Sequence, residues 1–241
     1  MDRNALFALL MLAAGTLGLP GPARAQTCAA NVPHVTGTWV TLPYLMPINP
    51  ISATLLHTGK ILIVAGSEND PDNYSAGGES YRNAVWDPTG TDESSITVQN
   101  VPYDVFCSGT AVLPDGRPLV IGGTASYAFT GDNRASIFNP TTENFVQSQN
   151  MVDGRWYATA TALGDGRIMA FSGYNSGGGI NDTVEIYSLT DAGAGWTAPV
   201  TAPFSPSLFP RDLLLPDGTV FFTGQGTGNQ TANSWRFNPA N

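Results

Sequence analysis

Lysine occurs once in this chain, at Lys60, and histidine twice, at His34 and His57. The shortage of basic side chains leaves a formal net charge of -9. It removes the positive footprint a nucleic-acid binder needs, and an anionic membrane surface would repel such a chain. Cysteine is equally scarce: Cys28 and Cys107 support one disulfide at most, so no cystine scaffold holds the fold. Long apolar runs are confined to residues 5–19, and nothing after them is long enough to cross a bilayer. Amphipathic helical periodicity is missing beyond that run, whereas glycine (27) and proline (18) are abundant, a balance that favours a turn-rich β protein.

The run ALFALLMLAAGTLGL follows Arg3 and closes with Ala23-Arg24-Ala25, small residues at the positions a signal peptidase reads. A signal peptide cleaved after Ala25 is expected, and with it a secreted or periplasmic protein without stable membrane insertion. Export permits oxidised sulfur, so a Cys28–Cys107 disulfide is one reading of the two cysteines.

Four segments repeat one pattern: SATLLHTGKILIVAGS, TAVLPDGRPLVIGGT, TATALGDGRIMAFSGY and DLLLPDGTVFFTGQG. Each is an apolar run, a turn centred on Gly59, Gly116, Gly166 or Gly218, and a second apolar run, which is a hairpin signal. The second run suits a strand buried on both faces. A second marker follows each hairpin at the same period, with an aromatic at Trp86, Phe138, Tyr187 and Phe237. It predicts a third strand, and SSITVQ and ENFVQ predict a fourth, outer one. Four strands per repeat with a Gly-Gly step make an all-β fold, a kelch-type β-propeller. About four blades are expected, at 50–106, 107–156, 157–208 and an incomplete 209–241. Residues 1–25 precede them as the signal peptide and 26–49 as an N-terminal segment.

Cys107 and Tyr157 stand at the same offset before their turn glycines, Gly116 and Gly166. They are therefore equivalent positions of neighbouring repeats, at one height around a common axis, in a ring with Pro50 and Phe209. Arg155 pairs with an acid or binds a substrate carboxylate. Strand alternation predicts that Trp156 points away from Tyr157. Asp115, Asp165 and Asp217 recur in turns and read as structural. The Gly-rich stretches 176–179 and 224–228 lack the strand-to-helix context of a phosphate cradle. Asn73, Asn181 and Asn229 open glycosylation sequons.

FCSGTAVLPDGRPLVIGG and GRWYATATALGDGRIMAFSG resemble the radical copper oxidases of the galactose oxidase and glyoxal oxidase family, as do SLFPRDLLLPDGTVFFTG and PINPISATLLHTGKILIVAG. The resemblance implies a seven-bladed propeller of which this chain is the N-terminal portion. It implies that Cys107 is bonded through sulfur to the ring of Tyr157, and that the Tyr157 oxygen ligates copper and stores one electron hole. An ortho thioether donates into the phenoxyl ring and lowers its potential. Copper and radical together would oxidise a small aldehyde or primary alcohol and reduce dioxygen to hydrogen peroxide, with the chain acting as a monomer.

The family site also needs a second tyrosine and two histidines. Neither His34 nor His57 matches a ligand position, and one tyrosinate does not hold copper tightly. The chain is expected to be inactive as it stands. Where galactose oxidase stacks a tryptophan on the thioether, this sequence has Asn175 beside Tyr174, so Tyr174 is the candidate substitute. The competing reading of the whole is a non-catalytic secreted propeller that binds carbohydrate or protein.

Overall fold

The computed structural model describes residues 37–77, 80–189, 195–224 and 233–240. The chain divides into two units, Met1–Leu42 and Pro43–Asn241. In the first, residues 37–42 carry no strand. The signal-peptide segment, Cys28 and His34 lie outside the described residues.

The second unit is a succession of antiparallel sheets. β1 (Ser52–Leu55), β2 (Ile61–Gly66), β3 (Arg82–Trp86) and β4 (Ile96–Asn100) form the first, in chain order. β5 (Gly109–Val112), β6 (Pro118–Ile121), β9 (Ala135–Asn139) and β10 (Asn144–Gln147) form the second. A small hairpin, β7 (Thr124–Ser126) and β8 (Thr130–Gly131), is inserted after β6. The third holds β11 (Thr159–Ala162), β12 (Ile168–Phe171) and β13 (Thr183–Ser188), with β14 (Gly195–Trp196) and β15 (Val200–Thr201) both paired along β13. β16 (Asp212–Leu214), β17 (Val220–Phe222) and β18 (Trp235–Phe237) form the fourth. The predicted outer strands are thus β4 and β10, and the four marker aromatics all fall on third strands.

Helix is nearly absent from the described residues, but one short helix, α1 (Pro71–Ala76), departs from the expectation of none. Its signal is a cap rather than a periodicity. Asp70 accepts from the N–H groups of Asp72 and Asn73, and Pro71 supplies a preset φ. Six residues are too few to show a 3.6-residue repeat. None of the described helices is long and apolar enough to cross a membrane.

The four hairpin turns are near copies. Gly59, Gly116, Gly166 and Gly218 have φ of 84°, 83°, 88° and 82°, the left-handed region where a side chain is strained. Each glycine N–H donates to the carbonyl three residues back, at Leu56, Leu113, Leu163 or Leu215. In the last three turns Asp115, Asp165 and Asp217 accept the backbone N–H two residues on, the structural role read from the sequence.

The second strand of each sheet is apolar on both faces because it serves two cores. Leu62 and Val64 of the first sheet meet Val120 and Phe138 of the second. Leu119 and Ile121 of the second meet Ile168, Ala170 and Tyr187 of the third. Met169 and Phe171 of the third meet Val220 and Phe222 of the fourth. Alternate residues of one strand thus point into successive intersheet cores. The outer face of the first sheet, with Ile63 and Ala84, is covered by Tyr44, Met46 and Ile48. First strands lie beside one another: β11 runs next to β5 and to β16.

Candidate active site

The chain reaches β5, β11 and β16 through a backbone that only a few residues adopt. Cys107, Tyr157 and Phe209 have φ of 55°, 69° and 44°. The Tyr157 N–H donates to the Cys107 carbonyl at 3.0 Å, and the Phe209 N–H donates to the Tyr157 carbonyl at 2.7 Å. These bonds put the three equivalent positions side by side at one height. At the fourth position of the predicted ring stands Pro50, and its neighbour Ile51 packs against the cluster that contains Cys107.

What locks Tyr157 in place is Arg155. Its guanidinium is fully buried and ion-paired with Glu185, also fully buried, at 2.9 Å. Further bonds run to the carbonyls of Ser172 and Thr183 and to Thr183 Oγ1. The Glu185 Oε2 accepts the Val152 N–H. Of the two roles read for Arg155, this is the structural pair. The Gly-Gly step of the second repeat exists for this approach: a Cβ on Gly122 would stand 2.0 Å from the Arg155 carbonyl oxygen.

Cys107 and Tyr157 share one cluster, with the Tyr157 N–H bonded to the Cys107 carbonyl, and each side chain bears on the other's titration. Burial pushes the thiol up to about 12. Burial, then Cys107, push the phenol up to about 12. Both groups are therefore neutral at physiological pH. Cys107 is a free thiol here; its candidate disulfide partner Cys28 is outside the described residues.

Trp156 does not point away from Tyr157. Its ring is stacked on the Tyr157 ring, with centroids 4.7 Å apart and planes at 18°. Alternation fails because the pair precedes β11 and Tyr157 is not in an extended conformation. Trp156 instead bridges to Tyr174 through paired backbone bonds. Tyr174 meets Tyr157 edge-on, 6.1 Å away at 70°, so the flat cover expected of it is provided by Trp156. Phe209 closes another side at 5.3 Å, also edge-on. Phe106 and Tyr127 complete an aromatic cluster around the pair.

A copper ion does not fit the described residues on their own. Among them no three His, Cys, Asp or Glu side chains converge. His57 is exposed in the first hairpin turn, beside Gly116 and at the far end of the strand from Cys107. Tyr157 is left as a lone donor. Asn181 is buried, its amide donating to the Gly154 carbonyl and its oxygen accepting from Thr183, so that sequon is not a glycosylation site in the fold. Asn229 lies outside the described residues. In the stretch 176–179 the Asn175 side chain accepts the N–H groups of Gly177 and Gly179, which makes it a self-bonded loop.

Fold and site together define an all-β protein of serial antiparallel sheets, with a thiol and a phenol converging where two first strands begin. The chain is a homologue of galactose oxidase. It is 27% identical over 201 residues to the galactose oxidase of Gibberella zeae, covering 80% of this chain and 28% of that protein. It thus spans little more than a quarter of that relative's length. A shorter match, 32% identical over 89 residues, links 33% of the chain to 10% of a WSC domain-containing protein of Arthroderma benhamiae. Among solved structures, a fungal alcohol oxidase of the AA5 family in complex with copper aligns over 80% of this chain and 64% of its own, at 13% identity and a TM-score of 0.43. No family model matches the chain.

Proposed function

We propose that this chain carries the radical-forming half of a secreted copper-radical oxidase, built on blades of a kelch-type, seven-bladed β-propeller. The observation that carries the reading is the in-register Cys107–Tyr157 pair, joined through the backbone and packed in one cluster beneath Trp156. The serial sheets, the four matching turns and the shared intersheet cores support the propeller. The homology to galactose oxidase supports the chemistry.

In this reading the Cys107 sulfur would be bonded to the ring of Tyr157, a loss of two electrons and two protons for which copper with dioxygen would supply the oxidant. Tyr157 is the one copper ligand these residues supply. Bound copper would accept one electron and the Tyr157 ring the other, in the oxidation of a small aldehyde or primary alcohol with formation of hydrogen peroxide. This chain's own contribution is positional. Arg155 and Glu185 fix the approach to Tyr157, and Phe209 and Tyr174 hold the phenol edge-on. Trp156 shields one face from water and spreads the radical's surroundings into an apolar layer.

Among the described residues no group of three His, Cys, Asp or Glu converges to hold copper with Tyr157, which supports the reading that the chain is inactive as it stands. That incompleteness is also what favours the second reading, a non-catalytic propeller that binds carbohydrate or protein.

The test is a peptide map. After incubation with copper and air, the protein is denatured, reduced and digested. A Cys107–Tyr157 linked peptide that survives reduction is expected. Separate Cys107 and Tyr157 peptides overturn the thioether reading. Peroxide release with aldehydes or primary alcohols is expected to be nil from this chain.

A further inference from the structure

Tyr127 has a proton acceptor that Tyr157 lacks. It sits between β7 and β8, with its ring 5.6 Å from Trp156 and stacked at 6° on Phe106, 5.9 Å away. Trp156 in turn lies 4.7 Å from Tyr157, and Tyr74 lies 4.8 Å from Tyr127 on the outer side. Tyr157, Trp156, Tyr127 and Tyr74 thus form an unbroken file of rings. Tyr127 Oη is 2.8 Å from Ser67 Oγ, and Ser67 Oγ donates to Asp104 Oδ2 at 2.7 Å. A serine hydroxyl has one proton, so Tyr127 is the donor to Ser67. Asp104 is buried and held from its other oxygen by the N–H groups of Ser67 and Phe106. A phenol is oxidised most readily when its proton leaves with the electron. A two-bond relay ending on a carboxylate allows that, whereas the Tyr157 phenol faces a thiol, which is a poor base.

We propose that Tyr127 is a second redox-active tyrosine, which gives up an electron while its proton passes through Ser67 to Asp104. The step balances. One electron goes to a one-electron oxidant, the Tyr127 proton moves to Ser67 Oγ, and the Ser67 proton moves to Asp104 Oδ2. The products are a neutral tyrosyl at 127 and a neutral carboxyl at 104. Where the oxidant is an oxidised Tyr157, the electron travels through Trp156 and Tyr157 takes up a proton from solvent. That route rests on the thioether reading; the Tyr127 site itself does not.

The experiment uses the whole chain and photogenerated tris(bipyridine)ruthenium(III) as oxidant, with radicals trapped by freezing and read by electron paramagnetic resonance. A tyrosyl signal is expected that persists in Tyr157→Phe and Tyr74→Phe and is lost in Tyr127→Phe. Its formation should slow in heavy water, and Ser67→Ala, which leaves every ring in place, should lower its yield. Phenylalanine at 127 keeps the ring contacts and removes only the hydroxyl, and Ser67→Ala reports independently should that variant misfold. A Tyr127→Phe chain with an undiminished signal overturns the proposal, as does a Ser67→Ala chain with unchanged yield and isotope effect. A signal lost only in Tyr157→Phe overturns it while sparing the thioether reading. An absent linked peptide sinks that reading and leaves Tyr127 standing.

Discussion

The Trp156 ring lies flat on the Tyr157 ring, 4.7 Å between centroids, although the two residues are adjacent in the chain. Neighbours in a strand face opposite ways; these two meet because Tyr157 takes a φ of 69°. Trp156 is also buried, at 2% exposure, and touches Phe106, Tyr127, Phe129 and Tyr174. Trp156→Ala should therefore cost about 3–5 kcal/mol of stability by the loss of a buried indole. Trp156→Phe, which keeps an aromatic cover, should cost clearly less. Urea denaturation of the three proteins measures both, and equal losses for Phe and Ala would contradict the stacking role.

Arg155 and Glu185 form an ion pair with both side chains out of contact with water. Removing one partner leaves the other charge buried alone. Glu185→Ala should destabilise the fold by about 3–5 kcal/mol. The double change Arg155→Met with Glu185→Leu should recover a large part of that loss, since an apolar pair incurs no desolvation penalty. A double change that is worse than the sum of its singles would show that the pair's hydrogen bonds to Ser172 and Thr183, rather than its charge, hold the segment.

The sheet order was legible in the sequence because two independent markers share one period. The turn glycines and the third-strand aromatics each fall where expected, and the two-faced apolar runs became β2, β6, β12 and β17. That Cys107 and Tyr157 stand at neighbouring positions was legible for the same reason, through a common offset from the turn. Trp156 was misread because alternation holds only inside a strand, and the left-handed step at Tyr157 lies before β11. Tyr127 was invisible because it belongs to the β7–β8 insertion, a strand pair that no other repeat forms among the described residues. Its link to Ser67 and Asp104 spans the first two sheets and leaves no trace in spacing. Asp212 gave no signal either: an acid within DLLLPDG reads as a strand end, and only packing reveals that it is enclosed.

Asp212 stands on β16 with neither carboxylate oxygen hydrogen-bonded to any described residue. Burial alone raises its pKa to about 7. The folded state therefore binds a proton that the unfolded state has already released between the ordinary carboxylate range and pH 7. Stability should be fully present at acid pH, fall as pH rises from about 4 to 7, and level off above. The total is on the order of 4 kcal/mol. Asp212→Asn should remove that slope and leave the protein more stable than the parent at pH 8. Denaturant midpoints across that range supply the measurement, and a parent whose stability climbs between pH 4 and 7 would place Asp212 in a solvated setting.

Cys107 is 9% exposed, and burial holds its thiol at about 12. The reactive species toward alkylating agents is the thiolate, and almost none is present at pH 8. Freshly prepared, copper-free folded protein should therefore resist iodoacetamide at Cys107 and react readily once unfolded. The titration adds a pH term of its own. The neutral thiol is favoured in the fold, so stability is present below the ordinary thiol range and lost as pH rises through it toward 12. After copper and air, the two readings of this residue separate. A thioether removes the thiol permanently, so unfolded and reduced protein should no longer take up the label. A protein that labels fully after that treatment retains a free Cys107, and the proposed radical cofactor has not formed.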